Sequence, residues 1–320
     1  MGFTRRGFVG AGILAAWRAV AQQTNPVPAG PTDQPPALKP PERHKPGPKP
    51  RGAPAICMYG DQLLKINYED VAPMIRPLGF DGVELMAQPG GHIGPEHADL
   101  HLERAIESMT GNGVDVWCMS TSFTSPNDGT MRLALEWGGE MGVPMVRPGI
   151  WEFAGNDTNA LNLAFRDISI LSQMARQTGT TIAVHNGTAD ESGPAVWSSY
   201  NLILARLDPH TVGYDFDPAN AAAEDSEGGW QKPLNQVLPR LKMVTAHDYA
   251  WTTDGGTRKL TACPLGEGIV EWPKFLAELA RHNFVGPISL HIEYAPRDEF
   301  GALRKDLQFL KKQLAAAYGG

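Results

Sequence analysis

Four stretches in the second half of the chain run from apolar residues straight into groups that bind cations or move protons. They are Thr181-Ile-Ala-Val-His185-Asn186, Thr211-Val-Gly-Tyr-Asp215-Phe-Asp217-Pro-Ala-Asn220, Met243-Val-Thr-Ala-His247-Asp248 and Ile288-Ser-Leu-His291-Ile-Glu293. Each reads as a buried parallel strand that delivers a polar side chain at its C-terminal tip. Pro218 cannot donate to a ladder, so the strand before it must stop there. Earlier in the chain, Asp81-Gly-Val-Glu84-Leu-Met86 carries another carboxylate in apolar surroundings. Imidazole and carboxylate without thiolate suit a divalent metal such as Mn, Mg, Co or Zn. Asp217, His247, His185 and Glu293 are the candidate ligands. Asp215 competes with Asp217 from one layer deeper on the same strand face; His291 and Glu293 also share a face, and either can reach the metal while the other lies deeper or contacts substrate.

A divalent ion beside a sugar polarises neighbouring carbonyl and hydroxyl oxygens, which acidifies the carbon-bound proton between them. Glu84, Glu293 and His185 are the candidate catalytic groups that remove and return that proton. Keto–aldo isomerisation, epimerisation next to a ketone and β-elimination all begin with this step, and the residues do not separate them. Glu84 has a competing structural role, a salt bridge to Arg147, because an unpaired buried charge is very costly. Arg147, Trp151, Asn220, Trp251 and His291 are candidate substrate contacts. Aromatic rings at a rim, Trp151, Trp251 and Trp230, stack on the apolar faces of sugars, and Asn220 is placed to hold a hydroxyl. His92, His97 and His101 read as solvated loop and helix residues rather than a zinc cluster. Gly90-Gly91-His92 reads as a loop able to close over the pocket.

Positioning such groups on one rim requires a repeating β-then-α scaffold, and the hydrophobic pattern supplies one. Strands are expected at 56–59, 81–86, 114–119, 143–147, 181–185, 211–217, 243–247 and 288–293. Amphipathic helices are expected at 68–78, 98–109, 129–141, 158–178, 197–207, 233–241, 271–282 and 298–317. Eight βα units within residues 55–320 match the size of a single-domain (β/α)8 TIM barrel, whose sites lie at the C-terminal ends of the strands. The rival, a doubly wound open sheet, normally carries GxGxxG after its first strand, and none occurs here.

The chain has 320 residues with 28 Lys and Arg against 35 Asp and Glu, a formal charge of -7 that disfavours a nucleic-acid partner. Cys57, Cys118 and Cys263 lack CxxC spacing and read as free thiols. The N-terminus carries Arg5-Arg6, a short apolar run from Phe8 to Ala16 and the small-x-small site Ala19-Val-Ala21. These features mark residues 1–21 as a twin-arginine signal peptide, with a periplasmic or secreted mature protein. The apolar run is too short for a stable membrane span. Residues 22–54 are crowded with proline and read as a disordered linker.

With these residues in place, the chain resembles the xylose isomerase-like TIM barrel superfamily of sugar isomerases and epimerases. The matching pieces are Gly-Val-Glu84-Leu, His185-Asn186-Gly187, Asp217-Pro-Ala-Asn220, His247-Asp248-Tyr249-x-Trp251, Pro264-Leu-Gly-Glu-Gly268 and Gly286-Pro-Ile-Ser-Leu-His291-x-Glu293-Tyr294. The resemblance covers roughly Ile56 to Ala317. It implies a divalent metal held at the ends of strands five to eight, glutamates as acid-base groups and a small carbohydrate substrate. Asp217 matches the family's strand-six ligand. The family often has glutamate where His185 and His291 stand. Its strand-seven ligand position holds Thr245 here, and His247 falls in a lysine position. Thr245 and Gly187 also admit a second function, a non-catalytic sugar-binding protein on the same barrel. An apurinic-site endonuclease shares the fold, but the acidic balance argues against it.

Overall fold

The computed structural model describes residues 47–48, 52–153, 158–188, 196–224 and 229–319. The expected signal peptide, and all but two residues of the expected linker before Gly52, lie outside the described residues.

Eight parallel strands close into one barrel in the order β1-β10-β7-β6-β5-β4-β3-β2. They are β1 (Ile56–Tyr59), β2 (Gly82–Met86), β3 (Asp115–Ser120), β4 (Met145–Arg147), β5 (Thr181–His185), β6 (Val212–Phe216), β7 (Leu241–Ala246) and β10 (Ile288–Leu290). Helices α1 (Tyr68–Ile75), α2 (Ala98–Gly111), α3 (Gly129–Met141), α4 (Thr158–Thr178), α5 (Val196–Leu204), α6 (Pro218–Glu224), α7 (Gln231–Val237), α8 (Trp272–Arg281) and α9 (Glu299–Tyr318) alternate with them. This is the expected single-domain (β/α)8 barrel.

Strand alternation sorts the side chains. Ile56, Met58, Val146, Ile182, Val184, Phe216, Val244 and Leu290 belong to the large core shared with the helices. Cys118, Met145, Ala183 and Met243 form a separate buried cluster of four. Two residues further along each strand, the same face carries a polar group. The eight strands thereby contribute Tyr59, Glu84, Ser120, Arg147, His185, Asp215, Thr245 and His291 to the C-terminal mouth. Six of these, Glu84, Ser120, Arg147, Asp215, Thr245 and His291, are buried. An apolar plug thus closes the barrel beneath a polar ring.

Three local features depart from the expected pattern. The first helix tightens into a 3-10 turn at Arg76–Leu78, where Pro77 cannot donate a backbone hydrogen bond. A short helix, α6, begins immediately after Asp217, with Pro218 at its first position. After β7 the chain makes an antiparallel hairpin of β8 (Asp248–Asp254) and β9 (Thr257–Cys263), which is separate from the barrel. Gly255 and Gly256 form its turn with φ of 55° and 83°, the left-handed region glycine tolerates.

The hairpin is rooted by Asp248. Its carboxylate accepts from the backbone N–H groups of Tyr249 (3.0 Å), Gly266 (3.1 Å) and Val270 (3.2 Å) and from Trp272 Nε1 (3.0 Å). A Cβ on Gly268 would collide with that carboxylate. The Pro264–Gly268 stretch therefore has a structural role, folding around one buried acid. The three cysteines are free, as expected.

Candidate active site

The centre of the polar ring is Arg147, at the end of β4. One terminal nitrogen lies 2.9 Å from Glu84 Oε1 and the other 3.2 Å from Asp215 Oδ2. Its guanidinium also sits 5.3 Å from the Tyr59 ring centroid. Ser120 donates to Glu84 Oε1, and Thr245 donates to Asp215 at 3.0 and 3.1 Å to its two oxygens. Burial opposes the Glu84 charge, yet Arg147, His291 and Ser120 hold the carboxyl well below the usual range. Burial likewise opposes the Asp215 charge, and His185 and Arg147 lower its pKa. Arg147 itself is pushed up by Glu84, Tyr59 and Asp215 against the pull of burial. Arg147, expected as a substrate contact, is thus engaged by two buried acids, and the competing salt bridge to Glu84 is formed.

Above this ring stands a second tier, Asp217, His247 and Glu293. Asp217 Oδ1 caps α6 by accepting from Ala219 N (2.8 Å) and Asn220 N (2.9 Å). Its backbone is clasped by Asn186, which accepts from Asp217 N at 2.8 Å and donates to Asp217 O at 3.0 Å. Asn220 Nδ2 completes the clasp on Asn186 O at 3.0 Å. Oδ2 is thereby left facing His247 Nε2 at 2.5 Å. His247 Nδ1 lies 3.4 Å from Glu293 Oε2. Burial disfavours a charged His247, but Asp217 and then Glu293 override it and raise its pKa to about 9.

His291 joins the tiers. Its Nε2 lies 3.4 Å from Glu84 Oε2 and its Nδ1 lies 3.8 Å from Glu293 Oε1. Neither Glu84 Oε2 nor His291 Nε2 has a hydrogen-bond partner among the described residues. Tyr249 on the hairpin reaches Asn220 Oδ1 at 3.2 Å and Glu293 Oε2 at 3.4 Å. The Glu293 side chain is 39% exposed, against 2% for His247 and 4% for His291, so it is the member of this chain that opens outward. His185, 12% exposed, places Nδ1 3.1 Å from Asp215 Oδ2.

The structure therefore brings together Glu84, Arg147, His185, Asp217, Asn220, His247, His291 and Glu293. The three aromatic candidates lie elsewhere, Trp230 being buried in the large apolar core against Phe275. Trp151 is packed into the large apolar core. Trp251 is 49% exposed on the hairpin, with the Arg258 guanidinium 4.1 Å from its ring centroid. His92 and His101 are tied locally, to Leu63 O at 3.2 Å and Tyr68 Oη at 2.8 Å. Tyr59, Ser120 and Tyr249 were not expected at the site. The first two follow from counting two residues beyond Cys57 and Cys118, and Tyr249 from alternation with Trp251.

The cation cage expected from Asp217, His247, His185 and Glu293 is not formed. Among the described residues, no three His, Cys, Asp or Glu side chains group as metal ligands. The reason is local chemistry. His247 spends one nitrogen on Asp217, His185 turns toward Asp215, and Thr245 spends its hydroxyl on Asp215. The Arg147 guanidinium already supplies a positive charge between the two deepest acids. The residues present do not fit a divalent ion held by that set.

A closed (β/α)8 barrel with a polar site at the C-terminal mouth defines the class. The chain belongs to the xylose isomerase-like TIM barrel family, whose model matches residues 74–313. Solved structures share the fold. A xylose isomerase-like TIM barrel protein from Mycobacterium smegmatis in complex with magnesium aligns with a TM-score of 0.64 at 15% identity, over 82% of this chain and 97% of that one. The 3-keto-D-glucoside 4-epimerase of E. coli gives a TM-score of 0.62 at 15% identity, over 81% and 99%. The D-psicose 3-epimerase of Clostridium cellulolyticum, with D-tagatose, gives 0.61 at 11% identity, over 81% and 99%. Comparison with curated proteins returns no significant match.

Proposed function

We propose that this protein is a sugar isomerase or epimerase that moves a proton at a carbon next to a carbonyl of a small carbohydrate or keto-sugar. The observation that carries the reading is the side-chain path Asp217–His247–Glu293–His291–Glu84–Arg147 along one barrel mouth. Burial resists ionisation of Glu293, but His291 and His247 lower its pKa to about 2. A carboxylate ionised at neutral pH and standing beside two imidazoles is available as a proton acceptor. Its basicity rises when a sugar displaces water from its exposed edge, because desolvation favours the protonated form. His185 is the second proton-handling group. It sits on β5, two strands around the barrel from β7, with Nδ1 3.1 Å from Asp215 Oδ2. Asn220 and Tyr249 hold and orient the region beside Glu293.

The sugar epimerases among the fold neighbours support this reading. The paired arginines of the N-terminus lead us to propose export to the periplasm or beyond; among the described residues no helix is long and apolar enough to cross a membrane. Thr245, bonded to Asp215 instead of presenting an imidazole, favours a second reading, sugar binding without turnover.

The test is solvent-deuterium entry into C–H bonds across keto- and aldo-sugars. Exchange that disappears in Glu293→Gln is expected. Saturable sugar binding with no exchange on any sugar would move the protein to the binding-only reading.

A further inference from the structure

We propose that the groove between α6 and the β8–β9 hairpin is a second sugar-ring subsite, so that the ligand is a glycoside or disaccharide rather than a free monosaccharide. The proposal rests on the sugar-directed reading above and adds the length of the ligand to it. The groove holds about 490 Å³ and is lined by Ala222, Ala223, Glu224, Trp230, Trp251 and Arg258, among others. That volume falls in the usual range for small-ligand pockets.

Both walls of the groove belong to elements that also carry active-site neighbours. On β8, Tyr249 and Trp251 are two residues apart and share a face. Tyr249 already touches Asn220 and Glu293. On α6, Asn220 and Glu224 are four residues apart and share a face. Trp251 and Glu224 thus stand one strand repeat and one helical turn from the Tyr249–Asn220 contact, which places the groove beside the active site.

The two outer residues offer what a sugar ring needs. Trp251 is the one aromatic among the exposed large apolar side chains of the described residues. Arg258 braces its indole at 4.1 Å from the ring centroid, holding a flat apolar platform. Glu224 Oε1 is buried without a hydrogen-bond partner among the described residues. Burial, then the Asp217 charge, raises the Glu224 pKa to about 7. Near neutrality this carboxyl can donate to or accept from a hydroxyl. Apolar C–H faces suit the indole, and ring hydroxyls suit the orphaned acid.

The experiment is calorimetric titration of the full chain with D-glucose, D-galactose and D-xylose against cellobiose, maltose, lactose and xylobiose. At least one disaccharide is expected to bind about tenfold or more tightly than its own monosaccharide. Trp251→Ala and Glu224→Ala are each expected to shrink that ratio, with unchanged circular dichroism as the folding control. Equal affinities in the wild type, or a ratio that survives both substitutions, would overturn the subsite. Deuterium exchange into a monosaccharide alongside a flat ratio sinks the subsite alone. Absence of binding and of exchange across the whole panel sinks the sugar reading with it.

Discussion

Tyr59 lies face to face with His291, with ring centroids 3.7 Å apart and planes within 1° of parallel. The stack fixes the plane of an imidazole whose two nitrogens look toward Glu84 and Glu293. Burial disfavours charge on that ring, while Glu293 and Glu84 raise its pKa. Tyr59→Ala is expected to lower the deuterium-exchange rate by about ten- to a hundredfold, the scale of a misplaced acid-base group. Tyr59→Phe keeps the ring and is expected to stay near wild type. Equal rates in wild type and the alanine variant would remove Tyr59 from the site.

Asp217 has two separable duties. Asp217→Asn retains an oxygen for the α6 cap but removes the charge facing His247. Asp217→Ala removes both. Both variants are expected to lose exchange. Leaving His247 buried without its counter-charge is expected to cost on the order of 3–5 kcal/mol, and the lost cap about a further 1 kcal/mol in the alanine variant. Urea unfolding measures the difference. Full activity in Asp217→Ala would refute its place in the mechanism.

The His247–Asp217 pair also sets a pH dependence. A histidine raised to about 9 contributes stability that is complete below its unfolded value, roughly 6.5, and is lost as pH rises through 9. Glu293, depressed to about 2, works the other way, contributing above its ordinary range and failing as pH falls toward 2. The melting temperature of wild type is expected to fall between pH 7 and pH 10 more steeply than that of His247→Gln. Parallel curves would contradict the pairing.

Metal removal separates this site from a cation-centred one. Because Arg147 and the imidazoles already neutralise the strand-end acids, prolonged treatment with EDTA is expected to leave the melting temperature and the exchange rate unchanged. Elemental analysis should find no stoichiometric Mn, Mg, Co or Zn. A stoichiometric ion whose removal shifts the melting temperature by several degrees would show that the side chains rearrange around a cation.

The barrel and most of the mouth were legible in the sequence because period-two alternation and strand-end polarity are local patterns. Glu84, His185, Asp217, His247, His291 and Glu293 are all strand-end groups, and they do converge. Partner choice was not legible. Whether His247 spends a nitrogen on a cation or on Asp217 depends on Asn186 and the α6 cap, which turn the free Asp217 oxygen toward it. The Glu84–Arg147 pairing was legible as the competing role of Glu84, but the second acid on Arg147, Asp215, lies 68 residues after it and was not. The hairpin was hidden inside what reads as the loop after strand seven, although Asp254-Gly-Gly256 is a turn sequence. Trp151 misled because an aromatic just past a strand end serves core and rim alike.

Asp248 gathers four donors at the foot of the β8–β9 hairpin, and Tyr249 ties the same foot to Asn220 and Glu293, so the arm is anchored at its base. Its tip, Thr253 to Arg258, can therefore be shortened, extended or exchanged while the floor beneath keeps its shape. That makes the arm a natural handle for redesign: ligand preference can be rewritten there without touching the groups that handle the proton.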